Sequence, residues 1–202
     1  MILMQPYINK ISITILLCLY LVCAFSASEC QAKKQESKLS RQEQILLFKA
    51  QKAMDKDDVL KAQVLLGKHI KDHPNSCPAP IFLLLGNTYY EQGQILKAHK
   101  IYSQGVHKHP DHALLNLNLA VTSFEQDKFK QAGQLFQKTY KLQEEPDPEV
   151  LYQSAAAFYQ GLYYSLAQNV LQRLLKIEPC PMTAWLELLI HTCLQLKDHQ
   201  KA

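Results

Sequence analysis

The side chains that could do chemistry in this chain are its histidines, thiols and carboxylates. His107, His109 and His112 crowd around Asp111, and His69, His73 and His99 lie not far before them. Imidazoles and carboxylates are what borderline divalent metals choose. The first three nevertheless straddle Pro110, and a proline-containing turn collects polar residues for solvation alone. His69 and His73 are one helical turn apart, a spacing that can chelate but that is common without a metal. The reading is solvated loop histidines and no metal site. Glu144, Glu145, Asp147 and Glu149 form one acidic loop rather than a facing acid–base pair. No nucleophile elbow, phosphate-binding loop, zincin helix or Ser-His-Asp order occurs. The chain is therefore expected to be non-catalytic and without a cofactor.

The thiols say more about location than about chemistry. Cys18 and Cys23 lie in ISITILLCLYLVCAFS, an unbroken apolar run over 11–26 that follows the lone Lys10. Small residues Ser26, Ala27 and Ser28 come next, then polar sequence from Glu29 onward. A positive charge, a short apolar core and a small-residue exit describe an export signal over 1–28. A signal anchor is the alternative, because a membrane span usually takes about 20 apolar residues. Cys30 is a candidate lipid-attachment site of the bacterial lipoprotein kind, although Glu29 replaces the small residue such a site wants before its cysteine. Cys77, Cys180 and Cys193 match neither a zinc nor a Cys-x-x-Cys spacing. Residues 29–40 are polar and read as a tether. The net charge of +4 comes from 22 basic and 18 acidic residues with no basic stripe, which argues against nucleic acid as a partner.

What must position everything else is a repeat. Ala62, Ala98, Ala132 and Ala167 recur at intervals of 36, 34 and 35 residues. Twelve residues before each stands Ala50, Gly86, Ala120 or Ala155, and four after each comes Leu66, Tyr102, Phe136 or Leu171. Pro74, Pro110, Pro146 and Pro179 close the units. Apolar residues at steps of three and four predict paired helices, at 41–54 and 59–72, 79–92 and 95–108, 112–125 and 128–141, 147–160 and 163–177, then 181–196. Asp57-Asp58, Gly93, Asp127 and Gly161 mark the turns within the pairs.

These residues resemble the tetratricopeptide repeat (TPR) family. Phe82-x2-Leu85-Gly86-x2-Tyr89, then Ala98-x3-Tyr102 and Pro110, follow the family pattern, and Trp185-x2-Leu188 begins a fifth unit. The resemblance implies an all-α solenoid of helical hairpins, a right-handed superhelix. It would span 41–202 with units at about 43–76, 79–112, 113–146 and 148–181 and a partial one at 182–202. Because the chain stops inside that fifth unit, it could be a piece of a longer TPR protein. Stacked hairpins also hold Cys77 and Cys180 three units apart, and Cys180 and Cys193 most of a helix apart, beyond the ~7 Å a disulfide allows between Cα atoms.

In this family the first helix of each hairpin lines a concave groove where a partner docks. The corresponding residues here are Leu47, Phe48 and Gln51; Leu83, Leu84, Asn87 and Tyr90; Leu117, Asn118, Val121 and Phe124; and Tyr152, Gln153 and Tyr159. Tyr90, Phe124, Tyr152 and Tyr159 are favoured as anchors, since aromatics dominate interfaces. TPR domains that clamp a terminal carboxylate set lysine and arginine beside such asparagines; none accompanies Asn87 and Asn118 on this wall. An apolar groove with a few amides suits a hydrophobic helix or extended segment. The expectation is a non-catalytic protein-interaction scaffold, exported to a bacterial periplasm or membrane-associated envelope. The alternative is an assembly factor tethered to the membrane through Cys30.

Overall fold

Residues 39–178 and 181–199 are described by a computed structural model of the chain. The export segment, the tether up to residue 38, Cys30, Pro179 and Cys180 lie outside the described residues. Among those described there are nine helices and no strand: α1 (Arg41–Met54), α2 (Val59–Asp72), α3 (Ala79–Glu91), α4 (Ile95–Lys108), α5 (Ala113–Phe124), α6 (Phe129–Leu142), α7 (Pro148–Gln160), α8 (Tyr164–Ile177) and α9 (Thr183–His199).

Caps set where each helix begins. Asp58 accepts from the Lys61 amide at 3.3 Å and Asp147 from the Glu149 amide at 3.0 Å, each satisfying an otherwise orphaned first-turn donor. Pro80 and Pro148 lie in the first turns of α3 and α7, where a missing N–H is no loss. Sequence periodicity begins α5, α6, α7 and α8 one residue early, because the backbones of His112, Lys128, Asp147 and Tyr163 are still non-helical caps.

Every hairpin then turns the same way. The amides of Asp58, Gln94, Lys128 and Tyr163 reach back to the carbonyls of Ala53, Tyr89, Ser123 and Phe158 at 2.8–2.9 Å. This is the Schellman closure, which needs a left-handed residue just before the donor. Asp57 (φ 61°), Gly93 (φ 69°), Asp127 (φ 55°) and Leu162 (φ 64°) supply it. In the last hairpin Gly161 lies in the turn with φ −80°, and the left-handed position falls on Leu162. Gly161 answers a different demand: a Cβ there would lie 2.7 Å from the Cβ of Phe129.

The recurring small residues let helices close on one another. Ala50, Ala62, Ala98, Ala120, Ala132, Ala155 and Ala167 are fully buried, and Leu66, Tyr102, Phe136 and Leu171 fill the space beside them. Each hairpin packs on the next, α2 on α3, α4 on α5, α6 on α7 and α8 on α9. No hairpin could cover its apolar face alone, so stacking supplies the core.

The Cys77–Pro78–Ala79 segment between the first and second hairpins is buried. His109 accounts for this: a ring nitrogen donates to the Cys77 carbonyl at 2.8 Å, and the ring meets Phe82 edge-on with centroids 6.2 Å apart. The expectation of solvated loop histidines holds for the exposed His107 and is corrected for His109, His112 and His99. His112 caps α5 by accepting from the Leu115 amide at 3.4 Å, and His99 is half-buried between Thr122 and Lys128. His99 and His109 thus tie separate elements together, while His112 caps its own helix.

Candidate partner-binding groove

Each first helix repeats one face at steps of four: Leu47–Gln51 on α1, Leu83–Asn87 on α3, Leu117–Val121 on α5. Leu47, Leu83, Leu117, Tyr152 and Leu186 occupy equivalent places at intervals of 36, 34, 35 and 34 residues, so an apolar side chain recurs on every first helix of the array. Between α1 and α3 this face forms an open groove of about 450 Å³, lined by Leu47, Phe48, Gln51, Pro80, Leu83, Leu84 and Asn87. Six of these seven residues were picked out by sequence. Pro80 was not, because its place inside the first turn of α3, rather than in a loop, is visible only once the helix start is known.

No charged side chain lines this groove. Its one exposed large apolar member is Phe48, at 67% of full exposure, held in water by its position on α1. The polar members are amides with defined partners. Asn87 Oδ1 accepts from the Tyr102 hydroxyl at 2.7 Å and from Asn118 Nδ2 at 3.1 Å. Both lone-pair directions are thereby used, and Asn87 offers the groove only its N–H donors. Gln51 Nε2 donates to Asp55 at 3.0 Å, which leaves its carbonyl oxygen as an acceptor.

The remaining sequence-selected residues, Leu117, Asn118, Val121, Phe124, Tyr152, Gln153 and Tyr159, are half-buried, and the apolar ones pack against the core of the third and fourth hairpins. The four aromatics all have internal partners. Tyr90 donates its hydroxyl to Glu125 Oε1 at 2.6 Å, and that bond, before burial, pushes the phenol up. Phe124 meets Phe129 edge-on at 5.3 Å, Tyr152 stacks on Trp185 at 6.3 Å, and Tyr159 meets Tyr164 at 5.4 Å. Their rings are fixed by the fold itself, the condition under which a binding surface loses least entropy on docking.

A second depression, of about 350 Å³, sits where the turns of the third and fourth hairpins meet and is lined by Asp127, Lys128, Phe129, Lys130, Gln131, Gly161 and Tyr163. Lys130 holds its ammonium 5.5 Å from the centre of the Tyr163 ring. Neither hairpin's turn sequence alone indicates it, since it depends on two turns one unit apart. Cys77 is a free thiol that burial pushes up to about 12, so it stays protonated and inert. Among the described residues no three His, Cys, Asp or Glu side chains converge as a metal site.

Residues 83–147, from within α3 to the loop after α6, match the family model for the tetratricopeptide repeat. The array has the fold of a TPR-type helical-hairpin solenoid. Solved structures carry the same fold. MamA from Desulfovibrio magneticus RS-1, from residue 41 onward, matches with a TM-score of 0.61 at 12% identity, over 80% of this chain and 89% of that one. Another MamA crystal structure gives 0.59 at 19%, over 76% and 87%. A tetratricopeptide repeat protein from Parabacteroides merdae ATCC 43184 gives 0.61 at 20%, over 74% and 59%. At such identities the likeness is one of fold. No curated protein sequence matches the chain. In the TPR frame the groove lies on the first-helix face, and among the described residues no helix is long and apolar enough to cross a membrane.

Proposed function

We propose that this TPR array is a non-catalytic scaffold that takes a hydrophobic segment of a partner protein into its first-helix groove. The observation that carries the reading is the uncharged wall formed by Leu47, Phe48, Leu83 and Leu84, with Asn87 as a pre-oriented donor. Burial of apolar surface there would supply the affinity, at about 25 cal/mol per Å² before ordering costs. A backbone carbonyl of the bound segment is the natural acceptor for Asn87, and no cation stands ready for a terminal carboxylate.

The same proposal places the protein outside the cytoplasm, on the strength of the 11–26 apolar run and the small residues after it. Amino-terminal sequencing of the native protein tests export: a start near Glu29 supports cleavage. Fatty-acid labelling of wild type against Cys30→Ser tests the lipid-anchored alternative.

The groove is tested by crosslinked capture from native envelopes with wild type, Leu84→Arg and Tyr90→Phe. A partner held by wild type and Tyr90→Phe but lost from a folded Leu84→Arg places docking on the α1–α3 wall. Capture unchanged by Leu84→Arg moves function to another face.

A further inference from the structure

We propose that the outer face of the second helices is a lipid-contacting surface that lays α2 and α4 against an anionic bilayer. This face is distinct from the groove, which lies on the first helices. Its mark is a segregation of charge. The second helices α2, α4, α6 and α8 carry eleven Lys or Arg and a single acid, Asp72. The rest of 41–199 carries six basic and fifteen acidic residues. The array is therefore close to neutral, and the fold sorts the signs. No run of the sequence is basic, because these cations are spread over four helices one unit apart.

The eleven cations also share one side of their helices. Lys68, Lys138 and Arg173 are equivalent through the repeat, as are Lys71, Lys141 and Lys176. Carried into the α2 frame, all eleven fall at positions 60, 61, 64, 68, 71 and 72, an arc of about 120° on a helix that turns ~100° per residue. That arc lies opposite the buried Ala62 and Leu66. Ten of the eleven are exposed, and Lys138 is half-buried. Where the structure gives these cations a partner it is neutral: Asn75 for Lys108, the Pro110 carbonyl for Lys138, and tyrosine rings for Lys97, Lys130 and Arg173. Helix physics sets only part of the sign. Lys71, Lys108, Lys141 and Lys176 suit last turns, but Lys61, Lys97 and Lys130 stand in first turns, where the macrodipole disfavours a cation.

A second feature of the same arc selects the partner. Leu60, Val64 and Leu96, the three most exposed large apolar side chains among the described residues, lie in it beside Lys61, Lys97 and Lys100. Gln63 on α2 donates to Gln92, just before α4, at 2.8 Å, which holds the starts of these two helices together. Leucine and valine held in water gain nothing from the phosphates of a nucleic acid. At a bilayer they gain burial at the boundary of headgroups and acyl chains, while the ammonium groups beside them stay among the headgroups. Ten of the eleven cations are lysine, a point charge that suits a diffuse anionic surface, rather than arginine, whose planar fork reads bases. Fourteen residues separate the apolar run at 11–26 from α1, a reach of at most about 50 Å. A bilayer that held this run would keep the first hairpins at its surface, where a weak face is effectively concentrated.

The test is lipid photocrosslinking by the full chain, with benzoylphenylalanine placed at position 96 on this face or at position 48 in the groove. The vesicles are phosphatidylcholine with or without phosphatidylglycerol. The apolar run can enter either kind, so the contrast between them reports the array. Position 96 is expected to form at least about tenfold more lipid adduct on the anionic vesicles, and high salt should abolish that preference in the unaltered face. Position 48 should form little on either. In a Lys61→Gln, Lys68→Gln, Lys97→Gln, Lys100→Gln variant the preference at position 96 should fall to about twofold or less, with helicity checked by circular dichroism. Equal adduct at 96 on both vesicles, equal adduct at 48 and 96, or a preference that survives the lysine variant overturns the proposal. A gel shift of polyuridylate that the lysine variant loses, with no lipid adduct at 96, overturns it in favour of nucleic acid.

Discussion

Gly133 on α6 faces Phe158 on α7 so closely that a Cβ on the glycine would lie 2.7 Å from the ring. The contact joins the third hairpin to the fourth, and Ser154 reinforces it by donating to the Gly133 carbonyl at 2.8 Å. Gly67, on α2, has nothing within 4 Å of the same position. The two glycines thus separate helix propensity from packing.

Gly67→Ala should stabilise the array by about 0.5–1 kcal/mol, the ordinary gain of alanine over glycine inside a helix. Gly133→Ala receives the same gain, but overpacking a tight contact costs about 1–3 kcal/mol, so it should come out net destabilising. Urea denaturation of both variants measures the difference. A stabilising Gly133→Ala would show that the interface of α6 and α7 is looser than described.

Leu162 carries a left-handed backbone that leucine pays about 1–2 kcal/mol to adopt. Its side chain is 68% exposed, so little burial repays that strain. Asp57, Gly93 and Asp127 hold the equivalent places in the other hairpins. Leu162→Asn should therefore stabilise by about 1 kcal/mol, a rise of ~2–4 °C in Tm for a domain of this size. An unchanged or lower Tm would mean that Leu162 makes compensating contacts.

The contrast between Leu162 and Gly161 also shows what the sequence could and could not reveal. The period of 36, 34 and 35 residues located every helix to within a few residues, because burial of alternate faces in stacked hairpins imposes it directly. The groove face was legible for the same reason: Leu47, Leu83 and their companions follow from the period once the first helix is known. Gly161 does mark the turn, but close approach to Phe129 rather than positive φ demands a glycine there, and only geometry distinguishes the two. His109 misled because its partner, the Cys77 carbonyl, is 32 residues away and belongs to the preceding inter-repeat segment.

Stability should fall on mild acidification. Burial chiefly holds His69 below its usual 6.5, helped by His73 and opposed by Glu43 and Asp72; burial and then the Lys128 charge hold His99 below it too. Between the lowered folded values and 6.5 the unfolded chain binds more protons, so stability rises with pH across that window and is lost as pH drops through it. Urea midpoints at neutral and mildly acidic pH should differ in wild type and converge in a His69→Gln, His99→Gln double variant. A double variant as acid-sensitive as wild type would assign the effect to other groups.

Asn87 connects the groove wall to the core, and its loss should cost more than its exposure suggests. Tyr102 is buried, burial pushes its phenol well up, and its hydroxyl donates to Asn87 Oδ1 at 2.7 Å. In Asn87→Ala the hydroxyl loses that acceptor inside the array, at a cost of about 1–3 kcal/mol. Tyr102→Phe removes the donor instead and leaves Asn87 still bonded to Asn118 at 3.1 Å, so it should cost only about 0.5–1.5 kcal/mol. The double variant should be less destabilised than the sum, with a coupling of about 1 kcal/mol in a double-mutant cycle. Strict additivity would mean that the two side chains do not support each other, and that Asn87 is oriented toward the groove by Asn118 alone.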